Sequence, residues 1–308
     1  MDITIIQQTL AKWAKAWRKG TGKKAGQFVR AMSTVFNWMG WGGSKRGFYI
    51  PYRWAGHMPI IAENFTYGWL KSAWDTDHSR FEKSLRMIEA HLPRLLEFST
   101  ECPGDRDCPR FDQSWCPGLD GAAAYSFVRE LKPANIIEIG SGHSTRFMVK
   151  AIRDGRLDTC FRSIDPEPRR GIDHLCHEVI RKTMDQVDLQ EFSILERNDI
   201  LFFDGSHIAM PGTDVDYLIN GVLPVLNPGV WVHIHDIFLP NGYPDMWQWR
   251  GYNEQNMVAA LLAGGDRFQV CFASAYVRKF MTNAVDGWSL QMPEQSFETS
   301  LWLSVKKS

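Results

Sequence analysis

The sequence predicts an α/β fold, a doubly wound parallel sheet behind an N-terminal helical extension. Three observations carry this expectation. From residue 119 onward, apolar runs of strand length alternate with stretches of helical period, the pattern of a sheet covered by helices. A glycine turn, Gly140-Ser141-Gly142, joins the first run to a helix. An acid, Asp165, closes the second run 23 residues after Gly142.

The elements follow in chain order. Ile3, Ile6, Leu10, Trp13, Ala14 and Trp17 recur at three- and four-residue spacing and predict an amphipathic helix. Gly20-Thr21-Gly22 ends it, and Phe28, Ala31, Met32, Val35, Phe36 and Met39 form a second stripe. Such faces pack on the protein's own body or on a second copy, which would make a homodimer. Their aromatic residues and basic flanks also suit a peripheral membrane contact through residues 1–45. Residues 79–98 predict a further helix with Phe81, Leu85, Ile88, Leu92, Leu95 and Leu96 on its apolar face. Cys102-Pro103-Gly104-Asp105 and Trp115-Cys116-Pro117-Gly118 read as loop. The division falls there, with 1–118 as a helical and loop extension and 119–308 as the main domain. After it come helices over 122–131, 144–154, 217–226 and 254–262. Strands are expected at 135–139, 159–164, 179–183, 200–203, 229–234, 268–272 and 300–305.

The chain has 308 residues, of which 44% are hydrophobic and 23% charged. That is enough for one large α/β domain with a smaller segment, and it excludes disordered, collagen-like and disulfide-dense classes. No run of 18 apolar residues predicts a membrane span. Met1-Asp2-Ile3-Thr4 lacks the pattern of a secretory signal. The expectation is a cytoplasmic protein with reduced thiols. Cys102, Cys108 and Cys116 form no CxxC pair and read as free thiols in a packed loop. The net charge is zero, yet residues 1–50 hold nine Lys/Arg against one acid. A basic head on an acidic body argues against nucleic-acid binding by the main domain.

The turn reads Glu138-Ile139-Gly140-Ser141-Gly142-His143-Ser144-Thr145. Glycines let the chain turn sharply and let a ligand approach the backbone. The helix that follows offers free N–H groups and the positive end of its dipole. Asp165, at the end of the next strand, suits the hydroxyls of a ribose. A dinucleotide and S-adenosylmethionine both fit this order. Glu138, two residues before the first glycine, favours the cationic ligand over a pyrophosphate.

With these residues the chain resembles the class I S-adenosylmethionine-dependent methyltransferases, and within them the bacterial methyltransferase 24 type. The resemblance rests on Ile137 to Thr145, Ile164-Asp165-Pro166-Glu167-Pro168, Leu201-Phe202-Phe203-Asp204-Gly205-Ser206-His207 and His233-Ile234-His235-Asp236-Ile237-Phe238. It covers residues 119–308. It implies a Rossmann-like seven-stranded sheet with one antiparallel strand near an edge. The loop Glu138, Gly140, Ser141, Gly142, His143, Ser144 and Thr145 would hold the methionine end, Asp165 with Pro166 the ribose, and Asp185 would flank the adenine.

Asp204 and His207 follow the fourth strand; His233, His235 and Asp236 close the fifth. Ligands of open parallel sheets sit outside the carboxyl ends of the strands, so both groups are expected to face one crevice. By resemblance to catechol-type O-methyltransferases, Asp204 and Asp236 would bind Mg²⁺ or another divalent metal, and His207 would be the general base. A hard cation lowers the pKa of a bound hydroxyl, and a histidine removes its proton near neutral pH. Ile237 stands where that pattern has Asn, so His235, Asn253 or Glu254 would complete the metal set. The function expected is methylation of a hydroxyl on a small molecule or glycan. A metal-dependent oxidative enzyme on the same fold, and a non-catalytic protein tethered to a membrane or partner, are the alternatives.

Overall fold

The computed structural model describes Arg53 and residues 65–101, 107–168 and 171–307. The two N-terminal stripes and Cys102 lie outside the described residues. Three helices open the described chain: α1 (Gly68–Thr76), α2 (His78–Glu89) and α3 (Leu92–Glu101). The sequence pattern predicts one helix over 79–98, but the chain breaks at Ala90 and His91. Pro93 explains the break, because proline fits the first turn of a new helix and not the interior of an old one. Helix α2 buries Phe81, Leu85 and Ile88, and the Ser84 hydroxyl donates to the Cys271 carbonyl at 2.8 Å. The described residues of the expected extension from 65 to 118 therefore belong to the same compact unit as the sheet, Glu63–Tyr243 with Tyr252–Ser308.

The alternating pattern then appears. Helix α4 (Gly118–Leu131) precedes β1 (Asn135–Ile139), α5 (His143–Gly155), β2 (Cys160–Ile164), β3 (Glu178–Ile180) and β4 (Ile200–Phe203). Strand β5 (Trp231–Ile234), α6 (Glu254–Gly264), β6 (Phe268–Ala273), α7 (Ser274–Phe280) and β7 (Leu301–Val305) complete it. The seven strands lie in the order β3-β2-β1-β4-β5-β7-β6. Strands β1 to β5 pair in parallel, and β7 runs antiparallel between β5 and β6.

Burial explains the arrangement. The small residues Gly121, Ala122, Ala123 and Ala124 let α4 lie close to α5, since a Cβ at Gly121 would stand 2.5 Å from the Phe147 ring. Strand β4, Ile-Leu-Phe-Phe, is buried along its whole length, as a central parallel strand covered on both faces requires. The helix expected over 217–226 is irregular. Asp214–Asp216 is one α-turn, Tyr217–Val222 takes π geometry, and Leu223–Val225 closes as a 3₁₀ turn. Pro224 has no N–H to continue an α-helical ladder.

Cys108 is disulfide-bonded, which corrects the expectation of free thiols there. Cys116, Cys160, Cys176 and Cys271 are free. Among the described residues no helix is long and apolar enough to cross a membrane. Pro244–Gly251 belongs to a separate unit, in which the Arg250 guanidinium lies 3.8 Å from the Trp247 ring centroid.

Candidate functional site

The turn after β1 is built by its own side chains. Gly140 takes a left-handed φ of 74°, and a Cβ there would stand 1.9 Å from the Asp204 carbonyl oxygen. The glycine thus lets the β1 turn touch the end of β4. Glu138 is fully buried. Ser144 Oγ donates to its Oε1 at 2.6 Å and Thr145 Oγ1 to its Oε2 at 2.5 Å. Gly142 N in turn donates to Thr145 Oγ1 at 3.0 Å. Burial outweighs these two donors and lifts the Glu138 carboxyl to about 8.

This sorts the sequence-predicted cofactor residues. Glu138, His143, Ser144 and Thr145 are buried, with Glu138, Ser144 and Thr145 bonded to one another beneath the turn. Gly140, Ser141 and Gly142 stay partly exposed, and a Cβ on Gly142 would meet nothing within 4 Å. Asp165 Oδ2 accepts from Ser141 N at 2.9 Å and Ser141 Oγ at 2.8 Å, and its Oδ1 accepts from Glu167 N at 2.9 Å. The carboxylate so ties the end of β2 to the glycine turn. Pro166 is exposed beside it, and Asp185 sits exposed on the turn Met184–Gln186 after β3. Open backbone at a helix start beside a ribose-suited carboxylate fits an adenosyl ligand with a charged tail.

The second group centres on His207. Its Nε2 lies 3.3 Å from Asp204 Oδ1 and 3.3 Å from Asp236 Oδ2, and its Nδ1 lies 2.9 Å from Glu254 Oε2. Both His207 and Asp236 take left-handed backbone, at φ 61° and 56°. Burial disfavours the imidazolium, yet hydrogen bonds to Asp204 and Glu254 and the charge of Asp236 raise the His207 pKa well above its ordinary value. Burial pushes Asp204 up, but the charge of His235 and the hydrogen bond from His207 hold it at about 2. The Asp204 side chain is 35% exposed against 5% for His207 and 11% for Asp236, so Asp204 forms the open rim of the cluster.

The other histidines separate. His235 Nε2 donates to the Trp115 carbonyl at 2.8 Å. The His233 ring stacks on Phe202 at 3.6 Å, and its Nε2 lies 2.8 Å from Ser300 Oγ. Burial holds His233 well below the ordinary imidazole pKa. It is a packed sheet residue and not part of the crevice.

Asp120 escapes a reading of the sequence. It is fully buried at the start of α4 and accepts from Ser274 Oγ at 2.5 Å, Thr299 N at 2.8 Å and Ser300 N at 2.9 Å. Burial raises it to about 6. Its partners lie more than 150 positions away, so no local motif marks it. Asn253 and Glu254, named only as substitute metal ligands, instead hold the His207 loop.

The metal set expected at Asp204, His235 and Asp236 does not fit this arrangement. His207 occupies the space between the two aspartates, and His235 turns its Nε2 to Trp115. Among the described residues no group of three or more His, Cys, Asp or Glu side chains is arranged so that it could hold a metal ion. A cavity of about 290 Å³ lies elsewhere, between the end of α5 and β2, lined by Ile152, Arg156, Phe161 and His177. It touches none of the residues above.

Residues 137–237, from β1 to just past Asp236, match the Methyltransf_24 family model, described as a methyltransferase domain. Over that stretch the chain is similar to a methyltransferase domain, and every loop of the crevice except the α6 start lies within it. No curated protein matches the chain. Solved structures with a similar course include the O-methyltransferase TomG of Streptomyces achromogenes, involved in tomaymycin synthesis, in complex with S-adenosylmethionine. Identity is 16%, over 70% of this chain and 89% of that one, with a TM-score of 0.41. An O-methyltransferase from Bacillus cereus in complex with S-adenosylhomocysteine is 16% identical over 78% of this chain and 97% of that one, with a TM-score of 0.40. A CmcI structure with Mg and S-adenosylmethionine is 17% identical over 68% and 84%, with a TM-score of 0.37.

Proposed function

We propose that this protein is an S-adenosylmethionine-dependent methyltransferase that methylates a hydroxyl oxygen of a small molecule or glycan, and that His207 receives the acceptor's proton through Nε2. One observation supports the reading most: a buried imidazole held among three carboxylates, Asp204 and Asp236 at the ends of β4 and β5 and Glu254 at the start of α6. Bound S-adenosylmethionine supplies a methyl carbon made electrophilic by its sulfonium. Gly140, Ser141 and Gly142 offer the backbone that would hold its methionine end, with Asp165 and Pro166 at the ribose and Asp185 beside the adenine. Asp204 stands at the open rim, where an acceptor hydroxyl would donate to it. The acceptor oxygen would bond to that carbon as the carbon–sulfur bond breaks and S-adenosylhomocysteine leaves, and the acceptor's proton would pass to the cluster. His207 takes it at Nε2, and Asp204 and Asp236 stabilise the imidazolium that results. At rest those carboxylates favour the protonated ring. A cationic ligand beside it opposes that charge and frees Nε2 to accept.

Residues 1–45 remain our proposed site of peripheral membrane or self-contact, in keeping with their basic, aromatic stripes. The activity test is calorimetric titration of the full chain with S-adenosylhomocysteine, followed by transfer of labelled methyl groups to panels of phenols and sugars. Binding is expected, with transfer reduced about 10²- to 10⁴-fold in His207→Gln, the range of a general base. Folded protein that takes up no S-adenosylhomocysteine overturns the proposal.

A further inference from the structure

We propose that Glu254 is the positioning residue of His207: it accepts a hydrogen bond from Nδ1–H, so that Nε2, between Asp204 and Asp236, is the nitrogen left to exchange a proton with the acceptor. This rests on the reading of His207 given above.

Four observations support it. Glu254 is fully buried as the first residue of α6, and its Oε2 lies 2.9 Å from His207 Nδ1. Its Oε1 is buried without a hydrogen-bond partner. A buried carboxylate with one bare oxygen is unfavourable for packing alone, and the cation it faces is His207. The same turn grips the His207 backbone: Asn253 N donates to the His207 carbonyl at 3.1 Å and Glu254 N at 3.4 Å. Asn253 also exchanges two bonds with Ala209, accepting from its N–H at 2.7 Å and donating to its carbonyl at 3.3 Å.

The ring is thereby fixed in place and in sense. Asp204 and Asp236 face Nε2, Glu254 faces Nδ1, and the Tyr252 ring lies 4.6 Å away by centroids. A flipped ring would turn Nδ1 to the aspartates and break the Glu254 bond. Which nitrogen of a histidine is the working one is set by the hydrogen bond the other makes.

The test uses full-length protein labelled with ¹⁵N-histidine at pH 7, read by NMR, with His207 assigned by its absence in His207→Gln. A proton bound to Nδ1 in slow exchange with water is expected. In Glu254→Gln it should exchange at least tenfold faster, with the other histidine signals unmoved. Wild-type His207 without a proton on Nδ1 overturns the proposal, and so does the same Nδ1 signal and exchange rate in both proteins. Broad change at the other histidines also overturns it, because it marks a merely structural role. The wild-type arm holds even if Glu254→Gln does not fold. No acceptor is needed, so failure here is distinct from failure of the His207 role, which methyl transfer by His207→Gln decides.

Discussion

Alanine at Gly140 and at Gly142 should separate the two reasons for a glycine in this turn. At Gly140, alanine must adopt φ 74°, which costs an L-residue about 1–2 kcal/mol. Its Cβ would also stand 1.9 Å from the Asp204 carbonyl oxygen, where ordinary contact needs well over 3 Å. That oxygen is backbone and Asp204 N is bonded to the Ile139 carbonyl at 2.9 Å, so relief requires moving the end of β4. Overpacking of this kind costs about 1–3 kcal/mol. The sum, about 2–5 kcal/mol, corresponds to a fall in melting temperature of roughly 5–20 °C for a chain of this size. S-adenosylhomocysteine affinity should fall with it, because Asp204 and the turn move together. Gly142 differs. A Cβ there meets nothing within 4 Å, so stability should change by less than about 1 kcal/mol. The added methyl group nevertheless fills the space a ligand needs to reach the backbone, and S-adenosylhomocysteine should bind at least tenfold more weakly. Differential scanning calorimetry and titration calorimetry on both variants read the four values. Unchanged melting of Gly140→Ala, or unchanged affinity of Gly142→Ala, refutes the reasoning.

Further outcomes are expected. The Glu138 carboxyl rises from 4.5 to about 8 on folding, so the folded state holds the extra proton between those values. Its contribution to stability is present below about 4.5 and is lost as pH rises through about 8; Glu138→Gln should flatten that part of a urea-midpoint curve taken from pH 5 to pH 8.5. Asp120→Ala strands two buried N–H groups, those of Thr299 and Ser300, and should cost about 2–5 kcal/mol in urea unfolding. Exhaustive chelation should leave S-adenosylhomocysteine affinity within about twofold, because His207 already stands between the aspartates. A tenfold loss, restored by Mg²⁺ or Mn²⁺, would reinstate the metal set.

Much of the fold was legible because its signals are local. Short runs rich in apolar residues marked β1 and β2 to within a residue, and the Gly140–Gly142 turn marked the junction of strand and helix. Local signals failed where a distant partner decided the outcome. The helix expected over 79–98 divides at Pro93, which periodicity alone overlooks. Gly118 reads as loop and the helix is expected only from Ala122, yet Gly118 to Gly121 open α4, where Glu298 accepts from Leu119 N at 2.7 Å. Helix α7 was not anticipated at all, since seven residues are too few to show a helical period.

The site divides in the same way. Sequence alone determined that Asp204, His207, His235 and Asp236 lie at strand ends, because strand length and polarity place them there. It also determined the glycine turn and the acid after β2, whose spacing is set by one βαβ unit. Tertiary structure decided what each side chain does. It sent His233 into the sheet against Phe202, gave His235 to Trp115, and placed the His207 ring between Asp204 and Asp236. It brought Glu254 to His207 across 47 positions and Asp120 to Thr299 across 179. Burial and hydrogen bonding between distant segments set those orientations, and neither is encoded in residue spacing.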